Sequence, residues 1–180
     1  MLVALLACLG TLGAARAQGL LGVLEEGRVL YRAGDERGAF EGVAPLEALE
    51  LYLPPDDASR HRLRAVLRPE RFNSGLAIRD VNARRTVFET EDFPEIVFEA
   101  SGFSSAALPE APPEGSETEL QLGGLLTMHG VTRPVTVAVR LSREGERLVA
   151  TGAFSVLLSD FGMSRPRFLA WQVRDAVEVT

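Results

Sequence analysis

The side chains able to carry reaction chemistry are few. The chain has two histidines, His61 and His129, and one cysteine, Cys8, and all 19 of its basic residues are arginine. Without lysine there is no Schiff-base chemistry and no P-loop lysine. One cysteine makes no intramolecular disulfide, and two distant histidines do not form a His-based zinc motif by themselves. Ser74, His129 and Asp160 are the parts of a hydrolytic trio, but no Gly-x-Ser-x-Gly nucleophile elbow presents the serine. Catalysis is not expected and no cofactor or metal is implied. The formal net charge of −6 gives no counterion-release advantage on DNA or RNA, so no nucleic-acid partner is expected.

The remaining polar candidates depend on the elements that carry them. Asp80, Asn82 and Arg84 lie two apart and cannot all share one helical face, whereas Asp80 and Arg84, four apart, can pair and lock a helix in place. Arg62, Arg64 and Arg68 fall on one face of a strand, as on a solvated outer wall. His129 precedes Gly130 at a turn, where its ring can fix the turn through a backbone hydrogen bond.

Those elements are mostly strands. Val135, Val137, Val139 and Leu141 alternate with polar or small residues, and Leu120, Leu122, Gly124, Leu126 and Met128 alternate before them. His129 to Pro134 supplies the turn of a hairpin. Leu148, Ala150, Gly152 and Phe154 extend it to a meander. Upstream, Leu49, Leu51 and Leu53 alternate until Pro54-Pro55, followed by Leu63, Ala65 and Leu67; Ile96, Phe98 and Ala100 follow Phe93-Pro94. Val29 to Ala33, the stretch 38–43, and Val177 with Val179 are further strands. From Ser74 to Phe88, Ile78, Val81, Arg85 and Phe88 fall at helical spacings, with Ser74 as the N-cap. The Pro- and Glu-rich stretch from Leu108 to Glu119 reads as a loop within the domain. About eight strands with meander connections and one short helix predict an all-β fold. It is either a closed antiparallel up-and-down barrel able to hold one small ligand or a two-sheet sandwich.

Before these elements, Leu2 to Leu12 is almost wholly apolar or small, and Ala15-Arg16-Ala17 forms an A-x-A cleavage pattern. Residues 1–17 therefore read as a signal peptide and 18–180 as the mature, cysteine-free domain, without a transmembrane anchor. Lipidation at Cys8, in Leu5-Leu6-Ala7-Cys8, is the lesser alternative.

Three segments carry a resemblance. Phe72 to Ser101 contains an Arg-Asp on a helix, a Phe-Pro and an alternating strand. The stretch 124–135 ends in Leu-Thr-Met-His-Gly-Val-Thr-Arg-Pro-Val, and Phe154 leads to Ser159-Asp160-Phe161-Gly162. In that order they resemble the signatures of the YceI family. The resemblance implies an exported, periplasmic or secreted, lipocalin-like barrel. Its elongated cavity would take a polyisoprenoid or another long-tailed amphiphile, such as a quinone or prenyl phosphate. The candidate wall is Phe88, Phe98, Leu126, Met128, Val137, Val139, Phe154, Phe161 and Trp171, each of which can equally be ordinary core. His129, Asp80 and Arg84 are the candidate head-group contacts. The family's amino-terminal Asp-x-x-His-Ser element is missing, since residues 27–43 contain no histidine and keep only Gly-x-Phe at 38–40. A homodimer is compatible with this picture. The alternative from another class is a ligand-free envelope β-sandwich acting as a structural or protein-interaction module.

Overall fold

The computed structural model describes residues 7–9, 20–35, 38–54, 57–103, 113–145, 147–165, 167–168 and 171–180. The strands are β1 (Ala7–Leu9), β2 (Leu20–Glu26), β3 (Arg28–Asp35), β4 (Gly38–Tyr52), β5 (Arg62–Leu67), β6 (Ile96–Ser101), β7 (Glu117–Met128), β8 (Val131–Glu144), β9 (Arg147–Leu157), β10 (Arg167–Phe168), β11 (Trp171–Gln172) and β12 (Ala176–Val179). One α-helix, α1 (Ala77–Thr86), lies between β5 and β6.

Eight strands close a ring in the order β3-β4-β5-β6-β7-β8-β9-β12, and β12 returns to β3. Every pairing in the ring is antiparallel. The fold is an up-and-down barrel, and closure excludes the two-sheet sandwich. A closed sheet leaves no long free edge. Strand β2 prolongs the line of β3 beside the end of β4, and β1 pairs with both β2 and β9.

The period-two segments form strands because one face of each is buried. Leu122, Leu126 and Met128 on β7, and Val137 and Leu141 on β8, are buried. Their neighbours Thr136 and Ala138 are exposed. The stretches 38–43 and 49–53, read as separate strands, belong largely to the single long strand β4. A register shift against β5 between Leu46 and Ala48 changes which residues point inward, from Phe40 and Leu46 to Leu49 and Leu51. Pro45 stands beside this irregularity, where a missing N–H is tolerated.

At the end of the barrel opposite the helix, His61 is buried and holds two segments together. Its Nδ1 lies 2.7 Å from the Phe103 carbonyl oxygen and its Nε2 3.2 Å from that of Pro54. Arg64 meets Glu99 across the outer wall at 3.7 Å, as its strand face predicts, and Arg62 donates to the Ser59 and His61 carbonyls.

The Ser159-Asp160-Phe161-Gly162 segment is a tight 3-10 turn after β9. The Asp175 carboxylate accepts hydrogen bonds from the Ser159 N–H and hydroxyl, and the Asp175 carbonyl accepts from the Leu158 N–H at 3.0 Å. The Ser159 hydroxyl, and then its N–H, hold the Asp175 carboxyl below its ordinary value of 3.8. A carboxyl pKa lower in the folded than in the unfolded chain contributes stability that is complete above about pH 4 and lost as pH falls through the folded value. Asp175→Asn should therefore melt lower than the parent at neutral pH, with the gap closing on acidification below the carboxylate range. Melting curves from pH 7 to pH 3 test this, and a gap that stays constant with pH would contradict it.

Candidate functional site

The barrel encloses a cavity of about 1080 Å³, just above the usual range of roughly 300–1,000 Å³ for sites holding small molecules. It is elongated. Leu120 and Met128, eight residues apart on β7, both line it. At about 3.3 Å per residue and a barrel tilt near 40°, it extends about 20 Å along the axis. Leu49, Leu51, Leu63, Phe103 and Leu148 line the end away from the helix, and Leu76, Ile78, Ala83 and Phe88 line the helix end.

Seven of the nine residues expected in the wall face this cavity: Phe88, Phe98, Leu126, Met128, Val137, Val139 and Phe154. Phe161 does not. It is 1% exposed and packs in the core with Leu158, Met163 and Val156, so it anchors its turn and leaves the cavity wall to others. Trp171 pairs with Phe168 through the backbone of β11, and its side chain lies outside the described residues.

The polar part of the lining is concentrated at the helix end, in Tyr31, Asp35, Arg79, Asp80 and Asn82, with Gln121 and Thr180 elsewhere. Tyr31 projects inward from β3. Its ring stacks on Phe72 at 5.2 Å between centroids, and Phe72 meets Phe88 edge-on at 5.0 Å. Gly42 on β4 makes room for the Tyr31 ring, because a Cβ there would lie 2.2 Å from it. Burial, and then the negative charge of Asp80, push the Tyr31 phenol up to about 12, against the opposing effect of Arg79 and Arg84. It stays protonated at neutral pH, and can donate a hydrogen bond into the cavity.

Asp80 is 8% exposed and points inward. Its carboxylate accepts from the Ser74 N–H at 3.0 Å and from the Ser74 hydroxyl. Arg79 donates from Nε to Ser74 Oγ at 2.7 Å and from its terminal nitrogen to the Ser74 carbonyl at 2.8 Å. The same guanidinium stands 3.8 Å over the Phe40 ring, a cation–π contact from the helix to β4. Ser74 is therefore not the helix N-cap. Leu76 occupies that position without a side-chain cap, and Ser74 instead receives the helix through Asp80 and Arg79.

Two other expectations are corrected. Arg84 does not pair with Asp80 and does not line the cavity. It donates to the Phe72 carbonyl at 3.2 Å, while Asp80 is satisfied by the nearer loop. His129 also lies outside the lining. With φ of 52° at His129 and 72° at Gly130, the two form the positive-φ turn between β7 and β8. The His129 ring packs against Phe93 at 4.3 Å. Its Nε2 lies 3.3 Å from a Glu89 carboxylate oxygen without hydrogen-bonding geometry. Tyr31 and Arg79 are cavity-facing polar residues that periodicity missed, as are Asp35, Gln121 and Thr180. Arg79 was legible only as the first member of the Arg-Asp signature.

Comparison with known proteins gives the fold and the family. A polyisoprenoid binding domain from Saccharophagus degradans, implicated in plant cell wall breakdown, superposes with a TM-score of 0.68 at 14% identity, over 84% of this chain and 88% of that one. Burkholderia cenocepacia BcnA superposes with a TM-score of 0.66 at 19% identity, over 84% and 91% respectively. At these identities the likeness is one of fold. No curated protein matches the chain. The model of the YceI-like domain matches residues 30–180, a span that contains the closed ring from Leu30 of β3 onward, helix α1 and the cavity. On that match the chain belongs to the YceI-like family.

Proposed function

We propose that the protein holds a polyisoprenoid, or a similarly long-tailed amphiphile such as a quinone or prenyl phosphate, inside the barrel for carriage or sequestration. The observation that carries this reading is the form of the cavity: long, apolar along its walls, and polar at the helix end. Each buried methylene of a tail contributes about 0.8 kcal/mol before association costs. A chain of several prenyl units therefore needs no catalytic group to be held. Phe88, Phe98, Leu126, Met128, Val137, Val139 and Phe154 contact the tail in this reading, and Tyr31, Arg79 and Asp80 stand nearest the head group. The Saccharophagus degradans domain of the same fold, described as polyisoprenoid binding, supports the choice of ligand class.

Titration with isoprenoid alcohols of increasing length, and with their phosphates, tests the reading. Affinity should rise with each added unit until the cavity is full, and straight-chain alcohols too short to reach both ends should bind weakly. Affinity independent of length would contradict it.

Among the described residues no helix is long and apolar enough to cross a membrane. The leader pattern at residues 1–17 supports export to the periplasm or beyond. Cleavage after Ala17 would remove β1 and leave the edges of β2 and β9 facing each other. The exported protein should then have an intact mass beginning at Gln18. A mass that includes residues 1–17, or a lipidated Cys8, would overturn that assignment.

A further inference from the structure

The polar groups at the helix end of the cavity differ in how much of their bonding capacity is left. On β3, Tyr31, Ala33 and Asp35 alternate along one inward row. Asp35 ends the strand, and Tyr31 lies two inward positions deeper. Arg79 turns its Nε edge to Ser74 and stands over the Phe40 ring. Asp80 accepts from the Ser74 N–H and hydroxyl. Arg84 reaches the Phe72 carbonyl and is not part of the lining. The Tyr31 hydroxyl is different. Its ring is held by the stack on Phe72 and lies across Gly42, while the hydroxyl has no hydrogen-bond partner among the described residues. A phenol kept protonated by its burial, bordering an apolar cavity, is an unused donor.

Charge at this end is balanced rather than positive. Among the described residues Arg79 is the only basic residue in the lining, against the carboxyl groups of Asp35 and Asp80. Arg84 is close enough to act on the Tyr31 phenol, so two guanidinium groups offset two carboxyl groups. A phosphate monoester carries about −1.5 to −2 at neutral pH. Entering here it would leave water for a site with no surplus cation, which is unfavourable. A neutral head group with an acceptor oxygen avoids that penalty and gives Tyr31 its missing partner.

We propose that Tyr31 selects the head group, donating a hydrogen bond to the oxygen of a neutral head such as an alcohol or a quinone carbonyl, and that the surrounding charges turn phosphorylated heads away. This rests on the tail-binding function proposed above and decides between the ligand classes that reading leaves open. A lost hydrogen bond and a charge mismatch act on the head alone, so both can be read separately from binding of the tail.

The test is equilibrium binding of three ligands with one tail to the full chain: geranylgeraniol, its monophosphate and the oxygen-free hydrocarbon. The proteins are the parent, Tyr31→Phe and Asp35→Asn. The parent should hold the alcohol at least tenfold more tightly than the phosphate. Tyr31→Phe keeps the ring on Phe72 and should lose about threefold to tenfold for the alcohol, the size of one lost hydrogen bond, with no change for the hydrocarbon. Asp35→Asn removes one carboxyl group and should raise affinity for the phosphate, relative to the alcohol, at least threefold. A parent that prefers the phosphate would overturn the proposal. So would a Tyr31→Phe loss shared equally by alcohol and hydrocarbon, or a phosphate-to-alcohol ratio that Asp35→Asn leaves unchanged. Should Tyr31→Phe fold poorly, the tyrosine Raman doublet of the parent decides, since it reports phenol hydrogen bonding and the chain has only two tyrosines. It should change on adding the alcohol and not the hydrocarbon, and no change would sink the proposal. Failure of all three ligands to bind folded parent would overturn the tail-binding function and this proposal with it. Binding of all three with the phosphate favoured would strike the head-group assignment alone.

Discussion

Val139→Glu should reduce uptake of an isoprenoid chain by at least about thirtyfold while leaving the barrel folded. Val139 lies on β8 opposite Gly152 of β9, and both line the cavity. The small partner leaves room for a longer side chain, and Val139 is only half-buried. In the empty protein the new carboxylate can therefore remain hydrated. When a tail enters, the same carboxylate must lose that water or take up a proton. Burying a polar group without a partner costs about 2 kcal/mol or more, and 1.4 kcal/mol is tenfold in affinity. A melting temperature close to the parent's, combined with the lost affinity, would place the effect in the cavity. Unchanged uptake would show that the tail does not pass this point.

The second large effect concerns stability. Asp80→Ala should destabilise the protein by about 2–4 kcal/mol, because it strands two donors on Ser74 and removes the carboxylate that ties that loop to the helix. For a domain of this size each kcal/mol corresponds to roughly 2–4 °C in melting temperature. Asp80→Asn, which keeps an acceptor toward the Ser74 N–H, should cost less. Loop and helix are joined here because Ser74 follows Asn73, which is bridged to Val43 of β4 by backbone hydrogen bonds of 2.8 and 2.9 Å. Loss of the carboxylate therefore frees the helix end of the barrel. A melting temperature unchanged in both variants would show that α1 is held by other contacts.

The strands that were plain in the sequence are those with one buried and one exposed face. On β7 and β8, Leu122, Leu126, Val137 and Leu141 are buried in alternation with more exposed neighbours, so period two survives intact. Strand β4 was harder to read because Pro45 interrupts it and the shift near Leu46 reverses its inward face. The helix was found by spacing, but spacing does not say which face is buried. The tertiary contacts of Asp80 with Ser74 and of Arg79 with Phe40 decided that.

Residue type also limited the reading of the site. Phe161 and Phe154 look alike in the chain, since core and cavity wall use the same apolar side chains. One anchors a tight turn and the other faces the cavity. His129 drew attention as a titratable group, whereas its backbone conformation explains its position. Tyr31 lies on a strand with little alternation to advertise it. The facing Gly42 makes its inward position intelligible, and burial, and then the neighbouring Asp80, its raised pKa.

A cavity built around a long isoprenoid tail should still hold that tail when the protein leaves its host. Organic extraction of the protein purified from its native host, followed by mass spectrometry, tests this most directly. A prenyl-tailed lipid should be recovered in a constant ratio to protein, and its amount should fall sharply in Val139→Glu. Repeated recovery of no lipid from folded parent protein, or of equal amounts from parent and variant, would contradict it.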